Sequence, residues 1–463
     1  MPLLTKPRKY QDEAVRIIEE KFDGRALLAD DMGLGKSLTS MLWCWRNRDI
    51  STPIIVVCPA SVKYNWEREA MIHFGLRAVV CEGQKPPRIR PLIKANLIII
   101  NYEILQYWID FLEALRPQTL IIDEAHYIKN PTTMRTVSVL RLEQSCEFVI
   151  ALSGTPMTRK PSELWTVLNM LRPEKFRSEE KFLFRFCDPQ LTMYGWEFNG
   201  ASNRKQLNKV LRQTCMIRRT KSQVLKELPP ITTSVVPFKL SKKEFAEYKK
   251  AETEFIKWVE ENYGTQKAQR AKRAQAYVKL GYLKRLAAEL KLKQTMQWID
   301  DMLEDSDEKI AVFGIHKNIL KPLREKYLHC SSLITGATPT KKRMYEVDKF
   351  QKDPKTRLFI ANMVAGGVGI NLTAGTSAAF VEIGWTPAEH NQARDRIHRL
   401  GQERPTNCYY LIANDTLESD LCRRLQTRSM MFDDIMNDGN GQNDVIEVYD
   451  LLISDVKQRK AKR

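Results

Sequence analysis

Ten short apolar runs, closed by polar residues and separated by stretches of helical periodicity, restrict this chain to an α/β architecture. The first five are Ala26 to Ala29, Ile54 to Cys58, Leu97 to Asn101, Leu120 to Asp123 and Phe148 to Leu152. A second series runs through Ile310 to Phe313, Leu333-Ile334, Leu358 to Ala361, Ala378 to Ile383 and Tyr409 to Ile412. Runs of this length and spacing are the buried strands of parallel sheets, whose functional loops lie at the carboxyl ends of the strands. Between the series the pattern changes to helices rich in Lys, Arg and Glu, with a break at Pro229-Pro230. At 463 residues the chain exceeds one ordinary core. The expected organisation is a first α/β domain over 1–160, a helical insertion and linker over 161–304, a second α/β domain over 305–445 and a basic tail over 446–463.

The loop after the first run carries the most chemistry. Leu28-Ala-Asp-Asp-Met-Gly-Leu-Gly-Lys-Ser37 leads from a strand into the helical stretch Leu38 to Trp45. Gly33 and Gly35 let the backbone turn its N–H groups toward an anion, and the helix N-terminus adds positive potential. Lys36 would hold the β- and γ-phosphates of a nucleotide, and the Ser37 hydroxyl a magnesium ion. Met32, Leu34 and Leu38 complete the candidate nucleotide-binding stretch. Asp30 stands where the strict G-x-x-x-x-G-K-[ST] pattern has its first glycine. A glycine turn before an ordinary helix would look similar, so the decision rests on whether the other parts of an ATP engine occur in order along the chain. Upstream, Pro7 to Ala14 opens a helix whose Tyr10 and Gln11 would stack on and hydrogen-bond a purine held near the loop.

The ends of the other early runs supply the remaining parts. In Leu120-Ile-Ile-Asp-Glu-Ala-His126 two acids close a buried strand, an expensive place for carboxylates unless a metal or a reaction needs them. Asp123 would hold the magnesium, and Glu124 would orient and deprotonate the water attacking the γ-phosphate. His126 would report the nucleotide state to a neighbouring loop. A helix cap would also place acids there, but does not predict the loop upstream. Ser153, Gly154 and Thr155, before Pro156, form a polar turn that would sense the same phosphate. Ser61, Lys63, Asn65 and Asn101 offer hydroxyl, ammonium and amide donors of the kind that hold a nucleic-acid backbone. Trp66 is expected to pack its helix.

Composition narrows the partner. Lys and Arg total 74 against 56 Asp and Glu, a formal charge of +18 and a pI near 9.4. That balance favours a polyanion, nucleic acid before membrane. The basic stretch Lys267 to Lys272, Lys242, Lys243, Lys249, Lys250 and the tail Lys457 to Arg463 would track phosphates, although a solvated helix face is the ordinary account of any one cluster. Nine cysteines occur singly with no C-x-x-C, the pattern of reduced core thiols. No apolar run reaches bilayer length, and the expectation is a soluble protein of a bacterial or phage-infected cytoplasm, or of a nucleus.

The second series holds two further elements. Met363-Val-Ala-Gly-Gly-Val-Gly-Ile-Asn-Leu372 is a glycine-rich loop after a strand. Gln392-Ala-Arg-Asp-Arg-Ile-His-Arg-Leu-Gly-Gln402 places Arg396 and Arg399 three residues apart on one helical face. Arginines presented from a second domain are what a nucleotide on the first needs for transition-state charge. The plainer reading is an exposed basic helix.

In this order the elements closely resemble the superfamily 2 helicases, and within them the Snf2 family. The matching residues are Tyr10-Gln11, Asp31 to Ser37, Asn65-Trp66, Asp123-Glu-Ala-His126, Ser153-Gly-Thr-Pro156, Gly366 to Leu372 and Gln392 to Gln402, spread from Tyr10 to Asp420. The resemblance implies two RecA-like domains with parallel sheets in tandem and a helical Snf2-type insertion between them. It implies ATP and Mg2+ as cofactors, Gly369 and Gln392 at the nucleotide, and Arg396 and Arg399 as arginine fingers. Candidate DNA contacts in the second domain are Gly336, Gly366, Gly367 and Trp385. No histone-reading, ubiquitin-ligase or nuclease domain is expected within these 463 residues. The chain looks most like the fork-remodelling, strand-annealing branch and the small Snf2-type helicases of bacteriophages. A monomeric, DNA-dependent ATPase that unwinds or remodels branched DNA is therefore expected. The alternatives are a duplex translocase that displaces bound proteins, and a non-catalytic scaffold gated by ATP.

Overall fold

The computed structural model describes residues 3–86, 95–157, 160–193, 195–262, 269–363 and 370–422. The chain divides into two compact units that meet in sequence between Glu227 and Leu228. In the first unit the strands are β1 (Arg25–Leu28), β2 (Ile54–Cys58), β3 (Val79–Val80), β4 (Leu97–Asn101), β5 (Thr119–Asp123), β6 (Phe148–Leu152), β7 (Pro189–Thr192), β8 (Gly195–Phe198) and β9 (Met216–Ile217). Seven of them form one sheet in the order β3-β4-β2-β5-β6-β1-β9, every pairing parallel. All residues of β2, β4 and β6 are buried. A strand covered on both faces must be apolar throughout, which is why these segments read as continuous runs.

The second unit holds β10 (Ile231–Phe238), β11 (Ile310–Gly314), β12 (Ser331–Ile334), β13 (Leu358–Asn362), β14 (Ser377–Phe380) and β15 (Thr406–Ala413). Their order is β10-β15-β14-β11-β13-β12, again all parallel. Helix Gln269–Leu290 and the C-terminal side of β15 share a small core, with Leu280, Leu283 and Ala287 packed with Ile412 and Leu417. Beneath it, Lys291 and Glu418 form a fully buried ion pair at 2.6 Å. Two parallel α/β sheets in tandem are thus what the apolar runs implied, and each of the ten runs overlaps a strand.

The stretch 161–304 departs from a purely helical insertion. It contains helices Glu179–Phe186, Arg204–Thr214 and Lys242–Asn262, but also the antiparallel hairpin β7–β8. Its β9 joins the first sheet beside β1, and its β10 joins the second beside β15. The division between the two units falls beside Pro229-Pro230, within this stretch. These strands escape the apolar pattern for physical reasons: β9 is two residues long, and β10 is a half-exposed edge strand carrying Thr232, Thr233, Ser234 and Pro237. All nine cysteines are free thiols, most of them buried. Among the described residues no helix is long and apolar enough to cross a membrane. Gly366, Gly367, Gly369, the basic tail, and the side chains of the stretch Lys267 to Lys272 lie outside the described residues.

Candidate active site

The loop after β1 turns into helix Lys36–Arg46 through two left-handed glycines, Gly33 at φ +83° and Gly35 at φ +75°. The left-handed backbone at Gly35 requires glycine, and a Cβ there would also stand 2.7 Å from Gln11 Nε2 and displace it. Tyr10 Oη and Gln11 Nε2, on helix Lys9–Glu20, donate to the Leu34 carbonyl at 3.0 and 3.4 Å. Burial is the main reason the Tyr10 phenol is pushed up to about 12, which keeps it a donor. Tyr10 does not offer a free face to a purine: it is 6% exposed, and the Arg219 guanidinium lies 5.2 Å from its ring centre. Its hydroxyl braces the loop at Leu34. Met32 and Leu34 are buried, whereas Ser37 and Leu38 are half-buried.

Lys36 Nζ donates to the carbonyls of Asp30 at 2.9 Å and Asp31 at 3.3 Å. Burial lowers its pKa, against the pull of the Glu124, Asp30 and Asp123 carboxylates. A Cβ on Gly154 would meet Met32 Cγ at 2.5 Å and Lys36 Nζ at 3.2 Å, so the turn after β6 lies directly on the phosphate loop. Among the described residues the Thr155 hydroxyl in that turn is buried without a hydrogen-bond partner.

Asp123 ends β5. Burial first, and then the charge of Glu124, raise its carboxyl to about 7, while the Trp66 hydrogen bond and Lys36 oppose the shift. Trp66 Nε1 donates to Asp123 Oδ2 at 2.9 Å, and Tyr102 Oη to the Asp123 carbonyl at 2.6 Å. Glu124 follows at φ +53°, an uncommon conformation for a side chain of this kind. His126 Nδ1 lies 3.3 Å from Glu124 Oε2 and 3.3 Å from Ser153 Oγ, and Ser153 Oγ accepts the Thr155 N–H at 3.2 Å. One imidazole thus connects the acid to the turn beside Lys36. These groups fit a nucleotide with a divalent cation. Asp123 is poorly solvated as an anion, a cost that a cation would reverse.

Two residues at this site escaped sequence reasoning. Arg218 donates to the carbonyls of Ala29 and Gly154 at 2.5 and 3.1 Å and pairs with Asp31 at 2.7 Å. Arg219 bonds Asp30 through its backbone and Nε, both at 3.0 Å, and also reaches the Tyr10 carbonyl. Asp30, in place of the strict pattern's glycine, is therefore the buried partner of Arg219. The available signal was an Arg-Arg pair directly after the apolar Met216-Ile217, in a chain with an Asp-Asp pair in its phosphate loop.

The candidate DNA contacts of the first unit are less uniform. Ser61 is half-buried in the turn Ala60–Val62. Lys63 is buried and donates to the Cys81 carbonyl at 2.7 Å, so it holds β3 instead of offering its ammonium outward. Asn65 bonds Glu69 at 2.9 Å, and the buried Asn101 bonds Glu103 at 2.6 Å.

In the second unit Gly336 is exposed, with open space where a Cβ would stand. Trp385 is half-buried, its backbone N–H held by Glu389 at 2.9 Å and its ring 4.5 Å from the Lys284 ammonium. Gln392 is half-buried on helix Pro387–Arg394. Arg396 and Arg399 do not share a helical face, because that helix ends at Arg394. The chain continues in turns closed by Ile397 N to Arg394 O at 3.0 Å and Gln402 N to Arg399 O at 3.0 Å. Gln402 anchors this segment by donating to Gly375 O at 2.8 Å, and Arg399 Nη1 reaches Ile370 O at 3.3 Å.

The chain matches the SNF2-related domain over residues 10–297 and the Helicase conserved C-terminal domain over residues 291–401. The DNA annealing helicase and endonuclease ZRANB3 of Mus musculus is 30% identical over 452 residues, covering 94% of this chain and 41% of that protein. The SWI/SNF-related matrix-associated actin-dependent regulator of chromatin subfamily A-like protein 1 of Xenopus laevis is 31% identical over 451 residues, covering 94% of this chain and 45% of that protein. The chain spans less than half the length of these two relatives. The solved SWI2/SNF2 ATPase core of Sulfolobus solfataricus in complex with dsDNA is 26% identical, covers 94% of each chain and superimposes with a TM-score of 0.45. With the SNF2-related domain matched over more than half of its length, the chain belongs to the SNF2-related family.

Proposed function

We propose that the chain is an ATP-dependent DNA translocase and helicase that acts on forked or branched DNA in replication, recombination or repair. The observation that carries this reading is the contact of His126 with both Glu124 and Ser153, because it joins a candidate base to a turn lying on Lys36. Family membership and relatives named as an annealing helicase and a chromatin regulator support the DNA substrate.

Lys36 and the amides of the loop hold the phosphates, and Ser37 and Asp123 would hold a magnesium ion, which would offset phosphate charge. Glu124 takes the proton of the attacking water. His126 and Ser153 relay whether the γ-phosphate is present, and Arg396 and Arg399 supply transition-state charge. Glu124→Gln tests the assignment: ATP and DNA binding should persist while hydrolysis is lost, and near-normal turnover would exclude Glu124 as the base.

A further inference from the structure

The β7–β8 hairpin stands apart from both sheets and keeps apolar side chains in water. Leu191 and Met193 are 70% and 79% exposed, the highest values for large apolar residues in the described first unit, and Trp196 is 50% exposed. The antiparallel register pairs Leu191 with Trp196 and Pro189 with Phe198, so these four share one face. Gln190, Thr192 and Glu197 take the other. At the root, Phe184 on helix Glu179–Phe186 packs edge-on against Trp196 at 4.9 Å and Phe198 at 5.2 Å. Lys160 Nζ ties the same root through the Phe198 carbonyl at 3.3 Å and Asn199 Oδ1 at 3.1 Å. The hairpin is held firmly below and bare above. A lone two-stranded ribbon gains little from such a face in water, so the exposed apolar surface needs an occupant.

Charge selects that occupant. Residues 172–212 contain nine Lys and Arg against five Asp and Glu. Arg185, beside Phe184, reaches Gln206 at 3.2 Å on helix Arg204–Thr214, which presents exposed Lys205 and Lys209. An exposed face carrying an indole next to a cationic helix suits a single strand of nucleic acid, whose bases stack on rings while its phosphates take the cations. A duplex hides its bases, and only separated strands expose them. The root also adjoins the nucleotide site in sequence. Lys160 follows the Ser153-Gly-Thr-Pro156 turn, and Glu163 pairs with Lys129, three residues after His126, at 2.8 Å.

We infer that the β7–β8 hairpin is the strand-separating element, its Leu191 and Trp196 face stacking on the unpaired bases at a DNA junction. This rests on the branched-DNA reading of the motor. The test uses the full chain, a fork with 2-aminopurine at its first unpaired position, and linear duplex of the same sequence. Trp196→Ala should keep duplex-stimulated hydrolysis within about twofold, lower strand displacement roughly tenfold or more, and lose the 2-aminopurine fluorescence change, with Trp196→Phe restoring both. A fluorescence change that persists in Trp196→Ala overturns the inference, whatever becomes of displacement. So does unchanged displacement, or loss of duplex-stimulated hydrolysis in both variants, which would make the hairpin part of the motor. If the unaltered protein hydrolyses ATP on DNA yet separates no strands, the branched-DNA reading fails. The fluorescence comparison then still decides whether the hairpin takes unpaired bases.

Discussion

Trp66 donates its indole N–H to Asp123 Oδ2 at 2.9 Å, so the acid at the end of β5 is aimed by the helix that follows the neighbouring strand β2. Trp66→Phe keeps the buried ring and removes the donor. Turnover should fall roughly tenfold, with a higher magnesium requirement, as expected when the group orienting a metal ligand is lost. Magnesium titration of hydrolysis measures this, and an unchanged midpoint would leave Trp66 a packing residue only.

Asp30→Gly restores the strict phosphate-loop pattern and should nonetheless harm the protein. It strips a buried partner from Arg219, whose side chain is 13% exposed against 1% for Asp30. Breaking such a pair from one side costs about 3–5 kcal/mol. Thermal unfolding should show a clear drop in Tm and ATP affinity should weaken; a variant as stable as the parent would refute the bracing role.

The sheets are legible in the sequence because strands covered on both faces leave continuous apolar runs, and the chemistry is legible where it is local. Gly35, Lys36, Asp123 and Glu124 each lie at or just beyond the end of a strand, so their positions come with the strands. The grip of Arg218 and Arg219 on the loop is not legible, because their partners Asp31 and Asp30 lie nearly two hundred positions away and only the β1–β9 pairing joins them. Spacing alone puts Arg396 and Arg399 on a helical face, whereas the bonds of Gln402 to Thr373 and Gly375 hold that segment in turns. The type and place of Lys63 suggest a donor to phosphate. Its long stem instead lets the ammonium reach the Cys81 carbonyl.

Arg399→Ala should leave ATP affinity largely intact and cut turnover by roughly a hundredfold or more, because an arginine finger acts mainly in the transition state. Equilibrium nucleotide binding and single-turnover hydrolysis separate the two effects. Collapse of binding in a folded variant would make Arg399 a ground-state ligand.

His390 should set part of the acid stability of the second unit. Burial, with Lys284 and Arg394 adding to it, lowers its pKa from 6.5 to about 3, and its Nε2 accepts the Gly384 N–H at 2.8 Å. The folded state therefore holds the ring neutral where the unfolded chain would protonate it. This contribution is complete above pH 6.5 and is lost as the pH falls from there toward 3, with a slope of roughly 1.4 kcal/mol per pH unit. His390→Gln, which keeps an acceptor for Gly384, should flatten the stability profile across that window. An unaltered slope would assign the acid sensitivity elsewhere.

The most direct test of a DNA-driven motor is ATP hydrolysis together with strand displacement on matched linear duplex, single-stranded and forked DNA, with Lys36→Ala as the blank. The account predicts hydrolysis that depends on DNA, is highest on the fork and is accompanied by displaced strand, with none of it in Lys36→Ala. Hydrolysis indifferent to DNA, or equal on linear duplex with no strand released, would contradict it.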